Sequence, residues 1–136
     1  MNTKQRYTLK ATERLKSRKA IEQLFNEGKM FSHFPFRIIY RMIDDGRQIL
    51  QTGFTVGTKH FKAAVNRNRI KRLMKEAYRL QKNELAYTLK SSNKKLTVFF
   101  IYAGNEIPEY KFVYEKIGSA LTQLIRLIDE NGSANS

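Results

Sequence analysis

A chain of 136 residues is the size of one domain, and 41% hydrophobic residues supply one core rather than two. Lysine and arginine number 26 against 12 acids, a formal net charge of +14, which predicts attraction to nucleic acid or to an acidic surface. The lack of cysteine excludes disulfides and thiolate metal sites, and two histidines, His33 and His60, are too few for a histidine-rich zinc site.

Residues 1–12 are basic, polar and without periodicity, and are expected to form a flexible N-terminal arm. They lead into no apolar signal core, and no apolar run approaches the roughly 18 residues that a membrane span needs. A cytoplasmic protein with no membrane partner is therefore expected. Residues 13–128 read as a single domain and 129–136 as a polar tail. Ser17 predicts an N-cap for a helix with Ala20, Ile21, Leu24 and Phe25 at helical spacing, closed by Gly28 as a left-handed residue past its end.

From Phe36 to Ile43 the chain alternates, which makes a strand. Phe36, Ile38, Tyr40 and Met42 form one face; Arg37, Ile39, Arg41 and Ile43 form the other. Cations interleaved with apolar side chains suit a solvated sheet face, and equally a groove that holds a nucleic-acid strand. Asp44-Asp45-Gly46-Arg47 predicts a hairpin turn. Turn chemistry already needs these aspartates, so they are not assigned to a metal. The return strand covers Gln48 to Gly57, where Gly53 suggests a bulge or a close backbone approach.

After a linking loop with Lys59, His60 and Lys62 comes the most charged stretch. Residues 65–79 hold six of the 26 basic side chains and one acid, Glu76. At about 100° per residue, Ile70, Leu73, Met74, Ala77 and Leu80 share one side of a helix. Arg67, Lys71, Arg72, Lys75, Arg79 and Lys82 share the other, with Arg69 at the border. Asn66 predicts the N-cap, which puts Arg67, Asn68 and Arg69 in the first turn. Cations are unfavourable against the positive end of a helix dipole unless an anion joins them, so this arrangement points to phosphate. Residues 80–94 are helix-leaning and end at Ser91-Ser92-Asn93. Lys95 to Ala103 predicts an apolar central strand, and Tyr110 to Ile128 a long amphipathic helix interrupted by Gly118. The order helix, strand, strand, helix, strand, helix predicts an α+β fold with one sheet and a basic crossover helix.

No carboxylate cluster suits two-metal hydrolysis, neither histidine has an acidic partner nearby in sequence, and no phosphate loop or nucleophile motif occurs. The residues describe a binder and not a catalyst.

Gly53-Phe54-Thr55-Val56, a basic loop, and then Ala64 to Arg79 with Arg67-Asn68-Arg69 and Ile70-Lys71-Arg72 strongly resemble the bacterial ribonuclease P protein subunit. Arg14-Leu15-Lys16 leading into Ile21, Phe25 and Gly28 is similar to the family's N-terminal opening. The resemblance spans about Arg14 to Ile128. It implies a two-layer α/β sandwich like the second domain of ribosomal protein S5, with a left-handed crossover at the signature helix. It also implies an accessory subunit of an endoribonuclease, in which a catalytic RNA and its Mg²⁺ ions remove the 5′ leader of precursor tRNA. Catalytic RNA and precursor tRNA are the implied partners, with no obligate protein partner and no catalytic or metal-binding residue on the protein.

By the same resemblance, Arg67, Asn68, Arg69, Lys71, Arg72, Lys75 and Arg79 contact the RNA subunit. A cleft between the first helix and the sheet holds the leader, with Ile21, Phe25, Arg37, Ile39, Lys59 and Lys62 as its residues. Ile21 departs from the aromatic familiar at its position, and the loop before the signature carries one extra residue. A one-residue shift on the strand would exchange Arg37 and Ile39 for Phe36, Ile38 and Tyr40. The alternative function is a non-catalytic RNA-binding module such as a ribosomal protein; a free-standing nuclease is disfavoured by the scattered carboxylates.

Overall fold

A computed structural model describes residues 13–43 and 48–134. The predicted arm, 1–12, and the Asp44–Arg47 turn lie outside the described residues. The elements are α1 (Arg18–Glu27), β1 (Lys29–His33), β2 (Phe36–Ile43), β3 (Leu50–Val56), α2 (Ala64–Gln81), α3 (Asn83–Ser91), β4 (Lys95–Tyr102) and α4 (Tyr110–Ala134). One sheet has the order β1-β2-β4-β3, antiparallel except for the parallel pair β3 and β4.

Two expectations about strands change. β1 has only Met30 and Phe31 to mark it, too little alternation to stand out, and it forms by pairing with β2 across the cis Phe34–Pro35 bond. β2 and β3 do not form a hairpin, because β4 lies between them. Its run Leu96-Thr97-Val98-Phe99-Phe100 is buried throughout. Such a strand belongs where both edges are hydrogen-bonded and both faces are covered.

The pleat of β2 divides the apolar residues between two clusters. Phe36, Ile38 and Tyr40 join Val98 and Phe100 of β4 in the main core, beneath α2, α3 and α4. Ile39 and Phe99 turn to the opposite face, where α1 and its lead-in place Leu15 and Leu24 on them. The sandwich is therefore sheet plus α2–α4, with α1 added across part of the second face. Phe54 stacks on Phe100 at 5.7 Å and meets Tyr78 edge-on at 5.4 Å, tying β3, β4 and α2 together. Inside this contact Thr52 Oγ1 and the Tyr78 hydroxyl share a 2.5 Å hydrogen bond. Burial pushes the Tyr78 phenol far up, so it remains neutral.

Helix ends show which residue signals carried information. Ser17 caps α1, its Oγ accepting from the Ala20 amide at 3.2 Å. Gly28 follows α1 but is extended, not left-handed (φ −76°). Its use is space: a Cβ there would stand 2.5 Å from the Leu24 carbonyl oxygen and 2.9 Å from that of Tyr40. Asn93 supplies the left-handed residue after α3 (φ 55°), with the Lys94 amide donating to the Leu89 carbonyl. Gly53 sits in regular pairing without a bulge, 3.0 Å from the Phe99 ring at the position of a Cβ. Gly118 lets α4 approach Gln81, whose Nε2 bonds the Ala77 and Tyr114 carbonyls. α4 runs on to Ala134 through the stretch read as a polar tail, since nothing between Ile128 and Gly132 breaks a helix.

Gly28→Ala should lower stability by about 1–3 kcal/mol, because backbone oxygens on both sides leave its methyl nowhere to go. A urea titration should show a lower midpoint with an unchanged slope; an unchanged midpoint would mean that α1 is not held close to β2.

Candidate nucleic-acid interface

The outer face of α2 carries the first candidate surface. Ile70, Met74, Ala77 and Tyr78 are buried, which fixes the rotation of the helix on the sheet. Asn68, Arg69, Arg72 and Lys75 are consequently exposed, and Lys71 is half-buried at their margin. Leu80, assigned to the apolar side, has left the core by the last turn and is exposed.

α2 begins three residues earlier than Asn66 predicts, which moves Arg67, Asn68 and Arg69 from the first turn into the second. Ala63 is the N-cap residue and makes no side-chain capping bond. Arg67 does related work: its Nη1 donates to the Phe61 carbonyl at 2.8 Å and the Lys62 carbonyl at 2.7 Å. It clamps the linking loop beneath the helix start, while Phe61 seats that loop against Tyr102. Arg67, expected to face RNA outright, is thus half-buried and held by its own chain. Lys59, His60 and Lys62 are exposed on the loop it holds.

Two further cations are not free as the helical wheel has them. Arg79 binds Glu76 through two bonds, 2.5 and 3.1 Å, and this bond holds the Glu76 carboxyl below the usual carboxylate range. Lys82, placed on the outer face, is 5% exposed and its Nζ pairs with Glu13. The helix ends at Gln81, so Lys82 no longer follows the wheel and turns inward between α2 and α3.

The second candidate surface lies across the sheet. Of the two faces open for β2, Phe36, Ile38 and Tyr40 belong to the main core, so the other face lies towards α1. Phe25 is 44% exposed and its ring lies 5.5 Å from that of Phe99. Arg37 is exposed, and its row continues into Ile101 and Thr55, both half-buried. Ile21 is half-buried against the small cluster. Ile39 is 3% exposed and makes the covered floor rather than a reachable contact, because α1 lies directly on it. Arg41 reaches Glu27 at the end of α1 at 3.7 Å.

Phe99 is the ring behind Phe25 that sequence reasoning missed. A strand apolar nearly throughout hides which of its rings turn towards α1; only the register with β2 shows it. Lys59 and Lys62 belong to the loop before α2 and are not brought into the Phe25–Phe99 contact. Among the described residues, no three histidine, aspartate or glutamate side chains converge to hold a metal ion. No described helix is long and apolar enough to cross a membrane.

The family described as Ribonuclease P matches this chain over residues 9–125. The ribonuclease P protein component of Porphyromonas gingivalis is 34% identical over 119 residues, covering 87% of each chain. That of Chlorobaculum tepidum is 34% identical over 110 residues, covering 75% of this chain and 71% of its own. Among solved structures, the RNase P protein of Thermotoga maritima superposes with a TM-score of 0.60 at 26% identity, over 82% of this chain and 96% of that one. The RNase P protein of Staphylococcus aureus gives 0.62 at 17% identity, over 82% and 94%, a likeness of fold.

Arg67→Ala should cost about 1–2 kcal/mol by removing both carbonyl bonds, and amide exchange in residues 57–63 should quicken. Exchange no faster than in the parent would show that the clamp holds nothing. The Glu76 carboxyl should titrate below other exposed glutamates in a carbon-detected NMR titration and return to the ordinary range in Arg79→Ala. Since its folded value is depressed, the pairing is complete above the ordinary glutamate value and is lost as pH falls through the lowered one. Titration at the ordinary value in the parent would rule the pairing out.

Proposed function

The chain belongs to the ribonuclease P protein family, and from that premise we propose a division of labour between its two surfaces. The protein is a subunit of ribonuclease P, a tRNA-processing ribonucleoprotein, and as such associates with the ribonuclease P RNA. The proposal assigns that association to the exposed face of α2, and assigns the 5′ leader of precursor tRNA to the cleft under α1. The proposal assigns hydrolysis of the phosphodiester to the RNA subunit, with Mg²⁺ held by RNA and substrate.

The observation that carries this reading is the placement of two unlike surfaces on opposite faces of one sheet. Arg69, Arg72 and Lys75 are exposed side by side on α2 with their charges uncompensated by a described ion pair. Such point charges suit phosphates, which position an RNA without reading its bases. The cleft offers something different: an exposed ring, Phe25, backed by Phe99, with the Arg37 guanidinium on the same sheet face. An unstacked base rests on a ring, and an adjacent cation takes the phosphate; this suits a flexible single strand of any sequence. Holding the leader would raise substrate affinity without contributing a reacting group.

The deciding experiment mixes the protein with a bacterial ribonuclease P RNA and labelled precursor tRNA at limiting Mg²⁺. Cleavage at the 5′ leader junction should accelerate; no acceleration with folded protein would overturn the assignment. Phe25→Ala should weaken binding of leader-bearing precursor by roughly 1–3 kcal/mol, the worth of one stacked base, and leave mature tRNA almost unaffected. Equal weakening of both would remove Phe25 from the leader site.

A further inference from the structure

The segment that leads into α1 lies outside both surfaces. Arg14 pairs with Thr52 in a parallel bridge along the outer edge of β3, and the Leu15 amide donates to the Thr52 carbonyl at 2.9 Å. Side chains of an extended segment alternate between faces. Leu15 enters the small cluster beneath α1, so Arg14 turns to the face on which α2 packs. Two contacts fix the segment there. Glu13 pairs with Lys82 at the end of α2, and Thr52 bonds the Tyr78 hydroxyl in the middle of α2.

The result is a convergence of like charge. Lys75 is held below the ordinary lysine value by partial burial and by the charges of Arg14, Lys71 and Lys16. None of these four cations is joined to a carboxylate among the described residues; Glu13 is engaged by Lys82 and Glu76 by Arg79. Arg14 and Lys16 are exposed. Four cations gathered without an acid repel one another, and an anion that spans them removes that cost. A phosphodiester strand, with one charge per nucleotide, has the required form.

We propose that Arg14 and Lys16 join Lys71 and Lys75 in one phosphate-binding track that carries the α2 interface round the outer edge of β3, and that its ligand is the backbone of the ribonuclease P RNA. The leader is the weaker fit, because Arg14 points to the α2 side of the sheet whereas Phe25 and Arg37 face the other. The inference rests on the assignment of α2 to the RNA subunit, and extends it to two residues outside the helix.

The test titrates ribonuclease P RNA with full-length protein across a salt series, without precursor tRNA. Arg14→Gln with Lys16→Gln removes both charges and spares the backbone pairing with Thr52. The dependence of log affinity on log salt should flatten by roughly one to two units, about 0.7 to 0.9 for each phosphate no longer neutralised. Arg14→Lys with Lys16→Arg keeps the charges and should restore the parent slope; failure to restore it would overturn the charge-based track. Arg69→Gln with Arg72→Gln provides the comparison. If that pair flattens the slope and the Arg14/Lys16 pair does not, the track is overturned and the α2 assignment stands. If neither does, both fail. An effect that appears only when leader-bearing precursor is added would overturn the RNA subunit as the ligand.

Discussion

The docking of one face of α2 is the interaction on which the display of its cationic face depends. Ile70, Met74 and Tyr78 are almost wholly removed from water. At about 1.5–3 kcal/mol for each large apolar side chain, the burial of these three contributes roughly 4.5–9 kcal/mol. Two exposed charges about 4 Å apart in water repel by only about 1 kcal/mol, less at physiological salt. Burial therefore wins, and a helix carrying six cations between residues 65 and 79 can be displayed on a folded protein without a matching set of acids. The Thr52–Tyr78 bond then sets the rotation more sharply than burial alone, since a phenol with no partner inside the core would be costly.

The same sheet explains how two unlike surfaces, one cationic and one partly aromatic, are carried on so small a domain. β2 contributes Phe36, Ile38 and Tyr40 to one face and Arg37, Ile39 and Arg41 to the other. The first set supports α2 and α4. The second is left for α1, which covers Ile39 and leaves Arg37 open. A short helix across half of a sheet face leaves a border, and Phe25 and Arg37 stand exposed along it. The extent of that border follows from the ten residues of α1 and from the close approach that Gly28 permits.

What could be seen in the sequence follows from range. Helical and strand periods are local, so α1, α2, β2, β4 and the buried stripe of α2 were legible. So was the signature that marks the family. Strand order is not local: the alternation in β2 and β3 says that each is half-buried, but nothing in either says that β4 enters between them. β1 was missed because its five residues acquire a strand conformation from their partner. Arg67, Arg79 and Lys82 were legible as cations and not as bonded cations, because their partners are a loop carbonyl pair, a neighbour one turn away and a residue 69 positions distant. A helical wheel counts charges; it cannot count which are already spoken for.

The half-buried Lys82–Glu13 pair has a use that its stability does not explain. Lys82 is withdrawn from water and Glu13 partly so, and the hydration they lose offsets much of their attraction. An apolar pair would tolerate sliding by a residue. A carboxylate and an ammonium in contact do not, and this pair fixes the register in which the lead-in to α1 meets the edge of β3. A slip of one residue would exchange the faces of Arg14 and Leu15, expose the leucine and bury the arginine. The ion pair, the Leu15 amide and the Thr52 carbonyl thus place one cation beside α2 and one apolar residue beneath α1. The edge of β3 is where the two sides of the protein are mechanically joined.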